Sequence, residues 1–103
     1  MNRIQTLKDY LKNEPDDPFL KYALALEYLK TGQEKEAGLL FEQLVKENPK
    51  YLPVCYQFGK LLVKQGHTDL AASEFKRGMA IARQIGDNHT FSELSGALEE
   101  LSE

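Results

Sequence analysis

A chain of 103 residues has the length of one small domain, and 42% hydrophobic with 28% charged residues is an ordinary globular composition. The formal net charge of −3 would repel a phosphate backbone, which argues against nucleic acid as a partner. Cys55 is the single cysteine, so an internal disulfide is excluded, and we interpret this residue as a small buried apolar side chain.

The hydrophobic stretches are a few residues long, far short of the roughly 20 that cross a bilayer. The N-terminal segment is interrupted by charges and does not have the pattern of a signal peptide. We therefore expect a cytoplasmic protein that does not interact with membranes.

Hydrophobic periodicity and helix-ending residues predict six helices, near residues 2–13, 17–31, 34–47, 52–65, 68–84 and 89–101. Asp16 or Asp17 should cap the second helix, with Pro18 in its first turn. Gly32 and Gly66 should end the second and fourth helices in the left-handed conformation, and Pro49 should break the third.

The predicted helices repeat with a period of 34 residues. Between residues 18–51 and 52–85, the identical pairs at this spacing are Tyr22 and Tyr56, Lys30 and Lys64, Gly32 and Gly66, Ala37 and Ala71, and Phe41 and Phe75. Residues of similar size also correspond, because Leu24 pairs with Phe58 and Ala25 with Gly59. Small residues at matched positions indicate two helices that approach each other closely within each repeat.

These positions resemble the tetratricopeptide repeat family, whose signature is an aromatic residue, Leu-Gly, Tyr, a later Ala-x3-Phe and a closing Pro. The first repeat reads Leu24-Ala25-x2-Tyr28, Gly32, Ala37-x3-Phe41 and Pro49, and the second reads Phe58-Gly59-x2-Leu62, Gly66 and Ala71-x3-Phe75. Lys21 and Cys55 depart from the pattern where the family favours tryptophan, and Arg83 departs where it favours proline.

The resemblance implies an all-α fold, a right-handed α-solenoid of antiparallel helix pairs. We expect one domain over residues 1–103, made of a half repeat (2–15), two repeats (18–51 and 52–85) and a C-terminal capping helix (89–101). The capping helix should pack through Phe91, Leu94 and Leu98. This alignment requires the loop at residues 85–87 to be two residues longer than the period predicts.

Catalytic and metal-binding patterns are missing from the sequence. His67 and His89 each fall at a helix start or in a loop, and no His, Cys and Asp grouping has the spacing of metal ligands. Gly-rich phosphate loops and nucleophile elbows are absent as well. We therefore expect no catalytic residues, no metal and no cofactor.

The helix from Phe19 to Lys30 carries about two apolar stripes, whereas a surface helix needs one. The resemblance places the second stripe, and its counterpart one period later, on the surface that binds a partner. The predicted partner-binding residues are Phe19, Tyr22, Leu26, Leu29, Lys30, Tyr56, Lys60, Val63 and Lys64. A polar and acidic third wall would come from His89, Ser92, Gly96, Glu99 and Glu100. The side chains of Tyr22 and Tyr56 should point away from the stripe that closes each helix pair.

The leading hypothesis is a protein-interaction module for an extended or helical peptide with apolar and acidic character. Two alternatives stay open, a homodimer that buries the same stripe and simple packing of the stripe within the chain. A further possibility is a recognition surface around Leu61. A carboxylate clamp of the kind found in some family members is not expected, because Tyr22, Leu26 and Gln57 stand at the corresponding positions.

Overall fold

A computed structural model describes residues 2–102 of the chain, and within that range it contains six α-helices and no strand. The helices are α1 (Arg3–Asn13), α2 (Pro18–Lys30), α3 (Glu34–Glu47), α4 (Pro53–Lys64), α5 (Thr68–Ile85) and α6 (Asn88–Glu100). Each boundary lies within one residue of the predicted one. The predicted all-α helical repeat fold is confirmed.

Short polar side chains begin three of the helices. The Asp17 carboxylate accepts hydrogen bonds from the amides of Phe19 (2.9 Å) and Leu20 (3.3 Å), and Pro18 occupies the first turn of α2. Asn2 caps α1 in the same way, and Asp87 caps α6. These bonds satisfy amides that have no partner inside the helix, so each helix start is fixed locally.

Left-handed glycines end three helices, at Gly32 (φ 78°), Gly66 (φ 84°) and Gly86 (φ 77°). The amide of the next residue then reaches back to a carbonyl five residues earlier, as in the bond from Gln33 to Tyr28 (2.8 Å). Equivalent bonds join His67 to Leu62 and Asp87 to Ala82. This Schellman pattern favours glycine, which has no Cβ to resist a positive φ, and the predictions for Gly32 and Gly66 are confirmed.

The prediction of a longer loop at residues 85–87 is wrong, because the extra length lies in a helix. Helix α5 has 18 residues whereas α3 has 14. Pro49 follows α3 closely, and the residue before a proline is disfavoured in the helical conformation. Arg83 stands one period later and imposes no such limit, so α5 continues until Gly86 ends it.

The helices form two compact units, unit 1 with α1 to α3 (residues up to Tyr51) and unit 2 with α4 to α6 (residues from Leu52). The prediction that one domain spans residues 1–103 stays a prediction, and Met1 and Glu103 lie outside the described residues. In unit 1, Ala25, Ala37 and Phe41 are fully buried where α2 meets α3. Their burial agrees with the predicted close approach of the two helices.

In unit 2, two glycines allow the helices to pack closely. A Cβ added to Gly59 would lie 2.7 Å from Cδ1 of Phe75, and one added to Gly78 would lie 2.7 Å from both Cys55 Cβ and Leu94 Cδ1. Contacts this short leave no room for a methyl group, so α4, α5 and α6 meet through backbone that lacks side chains. Leu94, which was predicted to attach the last helix, is fully buried.

The Cys55 side chain has no exposed surface, and burial raises the pKa of its thiol to about 11. A thiol in this state is uncharged at neutral pH and behaves as an apolar side chain. The interpretation of Cys55 as a core residue is confirmed.

Candidate functional site

A groove of about 500 Å³ lies in unit 2, with α4 along one side and α6 along the other. We call it the Tyr56 groove. Helix α4 contributes Tyr56, Lys60, Val63 and Lys64, α5 contributes Phe75, and α6 contributes Ser92, Glu93, Gly96, Ala97 and Glu100. Its volume falls within the range of ligand pockets, and it brings together all four of the partner-binding residues that were predicted in unit 2.

The α4 wall combines aromatic, aliphatic and cationic surface. The partly buried Tyr56 ring packs against Phe75 with centroids 6.5 Å apart, and the Lys60 ammonium lies 5.1 Å from the centre of the Tyr56 ring. A cation at that distance is attracted by the aromatic face. The Val63 side chain, 40% exposed, offers an apolar contact beside them. The wall can therefore hold an apolar side chain and place an ammonium group next to it.

The α6 wall is polar and acidic, as predicted, but its membership differs in part. Ser92, Gly96 and Glu100 line the groove, whereas the predicted His89 and Glu99 do not. Glu93, which was not predicted, lines it, and its carboxylate lies 3.9 Å from Nε2 of His89. Helical spacing could have identified Glu93 as a groove residue, because residues three and four apart share a face and Glu93 stands three residues before Gly96.

Gly96 opens the groove at its α6 side. A Cβ added there would meet no atom within 4 Å, and the residue lies in the interior of α6 without a positive φ. Neither packing nor backbone conformation in the described part of the chain therefore requires glycine at this position.

In unit 1, the predicted partner-binding residues differ in exposure. Phe19 is 63% exposed, Leu26 and Leu29 are half-buried, and Lys30 is exposed with its ammonium 3.8 Å from Glu27. Tyr22 is half-buried between two aromatic rings, 6.5 Å from Phe41 and 5.8 Å from Tyr51 between centroids. Burial, and next the nearby Tyr51, raise the pKa of Tyr22 above its usual 10.

The expectation that Tyr22 and Tyr56 point away from the core is wrong in part. Each ring touches the phenylalanine of the following helix, Phe41 in one unit and Phe75 in the other. In α2, and likewise in α4, the two apolar stripes lie side by side on the same helix. A large ring on one stripe therefore reaches the edge of the other. Replacing both tyrosines with Ala would therefore lower the stability of the fold as well as remove contact surface for a partner.

The proposed surface around Leu61 is also wrong, because Leu61 is only 4% exposed. A side chain buried to this extent does not contact a partner, and the exposed aliphatic residue of α4 is Val63 instead.

Sequence reasoning missed an ion pair in unit 1 that joins a buried lysine to a partly exposed glutamate. The Lys21 ammonium donates a hydrogen bond to Glu47 Oε1 over 2.7 Å, although its side chain is only 5% exposed. Gln43 donates to the other oxygen of Glu47 over 3.3 Å. The Lys21 bond, followed by the Gln43 bond, lowers the pKa of Glu47 from its ordinary 4.5. Neither Lys21 nor Glu47 lines the Tyr56 groove.

Residues 2–102 contain no group of three or more His, Cys, Asp or Glu side chains arranged to hold a metal ion. In the same range, no helix combines the length and apolar character needed to span a membrane.

Comparisons with known proteins identify relatives of this fold. The family model described as tetratricopeptide repeat matches residues 20–51. The crystal structure of a tetratricopeptide repeat domain protein from Salinibacter ruber is 38% identical, with a TM-score of 0.80, over 84% of this chain and 96% of that one. Its solution NMR structure gives 39% identity and a TM-score of 0.80 over 84% and 88% of the two chains.

A solution structure of a Bordetella parapertussis protein is 25% identical, with a TM-score of 0.81, over 96% of this chain and 86% of that one. No match was found among curated proteins. The identity to the Salinibacter ruber domain extends over nearly its whole length, and the helices repeat as the resemblance implied. This chain therefore belongs to the tetratricopeptide repeat family.

Proposed function

We propose that the protein binds a peptide segment of a partner protein in the Tyr56 groove and performs no catalysis. Tetratricopeptide domains generally serve as protein-interaction modules and are typically non-catalytic scaffolds, which supports the class of function. The observation that carries the site is the meeting of Tyr56, Lys60 and Val63 in one groove of ligand-pocket size.

The chemistry of the groove suits recognition of a peptide. Tyrosine offers a large contact area with only two side-chain torsions, and it keeps a hydroxyl group for hydrogen bonding. Val63 provides apolar surface that is exposed in the free protein and would lose contact with water on binding. Lys60 would steer an acidic group towards the aromatic wall.

Unit 1 offers a separate predicted contact surface, made of Phe19, Tyr22, Leu26, Leu29 and Lys30. The exposed Phe19 ring favours the competing function, a homodimer that buries these side chains. Light scattering of the purified protein tests it. A monomeric mass at micromolar concentration would eliminate the stable homodimer, and a dimeric mass that Phe19→Asp reduces to a monomer would establish it.

Selection from a phage-displayed library of random 12-residue peptides tests the groove itself. Binders should be rich in apolar residues, and Val63→Asp should weaken their affinity by tenfold or more. Leu70→Asp is the matched control, because Leu70 is also an exposed aliphatic residue in a helix of unit 2 but does not line the groove.

Both variants should keep the far-UV circular dichroism of the natural chain. A library without binders, or binders weakened by Leu70→Asp and not by Val63→Asp, would contradict the proposed site. The cytoplasmic location and the absence of a nucleic-acid partner stay predictions.

A further inference from the structure

We propose that the peptide segment bound in the Tyr56 groove carries opposite charges on its two edges, a carboxylate facing α4 and a cationic side chain facing α6. This inference rests on the proposed function, because it names the chemistry of the segment that the same groove would bind. It differs from the sequence-based hypothesis of a partner that is simply apolar and acidic.

The two walls of the groove carry charges of opposite sign. Lys60 and Lys64 stand one helical turn apart on α4, and Glu93 and Glu100 stand two turns apart on α6. A uniformly acidic segment would bring carboxylates close to the glutamates, and a uniformly basic one would bring cations close to the lysines. Like charges at an interface are unfavourable and reject a partner, so a segment with separated charges matches the groove best.

The position of Lys60 makes the α4 edge specific. Its ammonium group lies over the Tyr56 ring, 5.1 Å from the ring centre, and Lys60 lines the groove. A carboxylate bound there would accept a charge-assisted hydrogen bond beside an apolar wall, where such bonds are stronger than in open water.

Gly96 indicates where the bound backbone comes closest. A glycine inside a helix makes the helix less stable than an alanine would. Neither packing nor a positive φ in unit 2 accounts for the glycine at this position. A glycine commonly marks a place where another backbone approaches. We therefore place the closest contact of the segment at Gly96, between Glu93 and Glu100.

The test uses synthetic copies of the strongest 12-residue binder from the phage selection. One copy has its acidic residues replaced by their amides, and another has its basic residues replaced by Gln. Each replacement should weaken binding to the natural chain by about threefold to tenfold.

Binding of these peptides to variants of the protein then assigns each peptide charge to one wall of the groove. The peptide without carboxylates should lose less affinity relative to its parent when both bind Lys60→Gln than when both bind the natural chain. The peptide without cations should lose none when both bind the double variant Glu93→Gln, Glu100→Gln. Lys76→Gln and Glu99→Gln are the controls, since both residues are exposed, stand on α5 and α6, and do not line the groove.

Gly96→Ala provides an independent readout. It should raise the melting temperature and still weaken peptide binding by tenfold or more, an opposition that a purely structural glycine would not produce. Unchanged affinity for Gly96→Ala would overturn the backbone contact. A strongest binder with charges of one sign, or charges that couple equally to both walls, would overturn the charge pattern and leave the proposed function standing. A failure to find binders, or binders weakened by Leu70→Asp and not by Val63→Asp, would remove both.

Discussion

The ammonium group of Lys21 lies 2.7 Å from Glu47 Oε1, and the Lys21 side chain is almost completely buried. One period later the same two positions hold Cys55 and Ile81, which are apolar. The same place in two consecutive repeats is thus occupied once by an ion pair and once by uncharged side chains. Removing the Glu47 charge would leave the buried Lys21 ammonium without compensation, whereas an apolar replacement of Lys21 would leave no buried charge.

We therefore expect Glu47→Gln to lower the melting temperature more than Lys21→Met does. The amide would leave the buried ammonium without its counter-charge, but Met fits the stem of Lys21 and leaves Glu47, which is about half exposed, free to be hydrated. Thermal unfolding followed by circular dichroism compares the two. The opposite order would contradict the expected cost of a buried ammonium without its counter-charge.

The same pair makes stability depend on pH. The pKa of Glu47 is lower in the folded chain than its ordinary 4.5, so its contribution is fully present above pH 4.5 and is lost as the pH falls through the lowered pKa. Urea unfolding between pH 6 and pH 3 should show a steeper loss of stability for the natural chain than for Lys21→Met. Parallel curves would contradict this assignment of the shift to Lys21.

Two substitutions of the same kind should have opposite effects in unit 2. Gly59→Ala would force a methyl group against Phe75 and should cost about 1–3 kcal/mol of unfolding free energy. The methyl group of Gly96→Ala would meet open space, so this variant should gain about 0.5–1 kcal/mol of unfolding free energy from the better helix propensity of alanine. Chemical denaturation measures both, and a gain of stability for Gly59→Ala would show that the packing at Gly59 is looser than the structure indicates.

Helix α6 should stabilise unit 2 through one side chain above all. Leu94 is fully buried, so Leu94→Ala should cost about 2–5 kcal/mol of unfolding free energy. Leu98→Ala is the control and should cost less, because Leu98 is only half-buried. A chain ending at Asp87 should aggregate, since it exposes the surface of α5 that α6 covers. A soluble and equally stable truncation would show that α6 is dispensable for the core.

The Cys55 thiol should be unreactive in the folded chain. It is buried, and its pKa of about 11 leaves almost no thiolate at pH 8, the form that attacks alkylating reagents. Iodoacetamide should label it slowly in buffer and readily in concentrated urea, as measured by mass spectrometry. Fast labelling of the native chain would mean that unit 2 opens often enough to expose it.

The sequence predicted helix boundaries within one residue because the signals that set them are local. Asp17, Pro18 and Gly32 determine the start and end of α2 through bonds to their own neighbours. The 34-residue correspondence likewise identified buried residues such as Ala37 and Phe41, since position within the repeat determines burial.

The features that sequence reasoning missed depend on residues that are distant along the chain. The buried Lys21 bonds to a partner 26 residues away, and nothing near it in the sequence indicates Glu47. The position of the Tyr22 ring depends on Tyr51 in the same way. Glu93 is different, since its place beside the groove follows from helical spacing once α6 is known to line it.

The glycine at the end of α5 affects how a chain of this kind can change in length over evolution. Because Gly86 ends the helix through bonds to the turn just before it, residues added ahead of such a glycine extend one helix and leave its core positions where they were. The longer α5 has this form, and Ala71 and Phe75 keep their correspondence with the first repeat. An insertion in the middle of α4 would instead rotate everything after it by about 100° around the helix axis and turn Gly59 or Val63 away from its neighbours. Insertions and deletions should therefore accumulate at the glycine-terminated ends of these helices and be eliminated from their interiors.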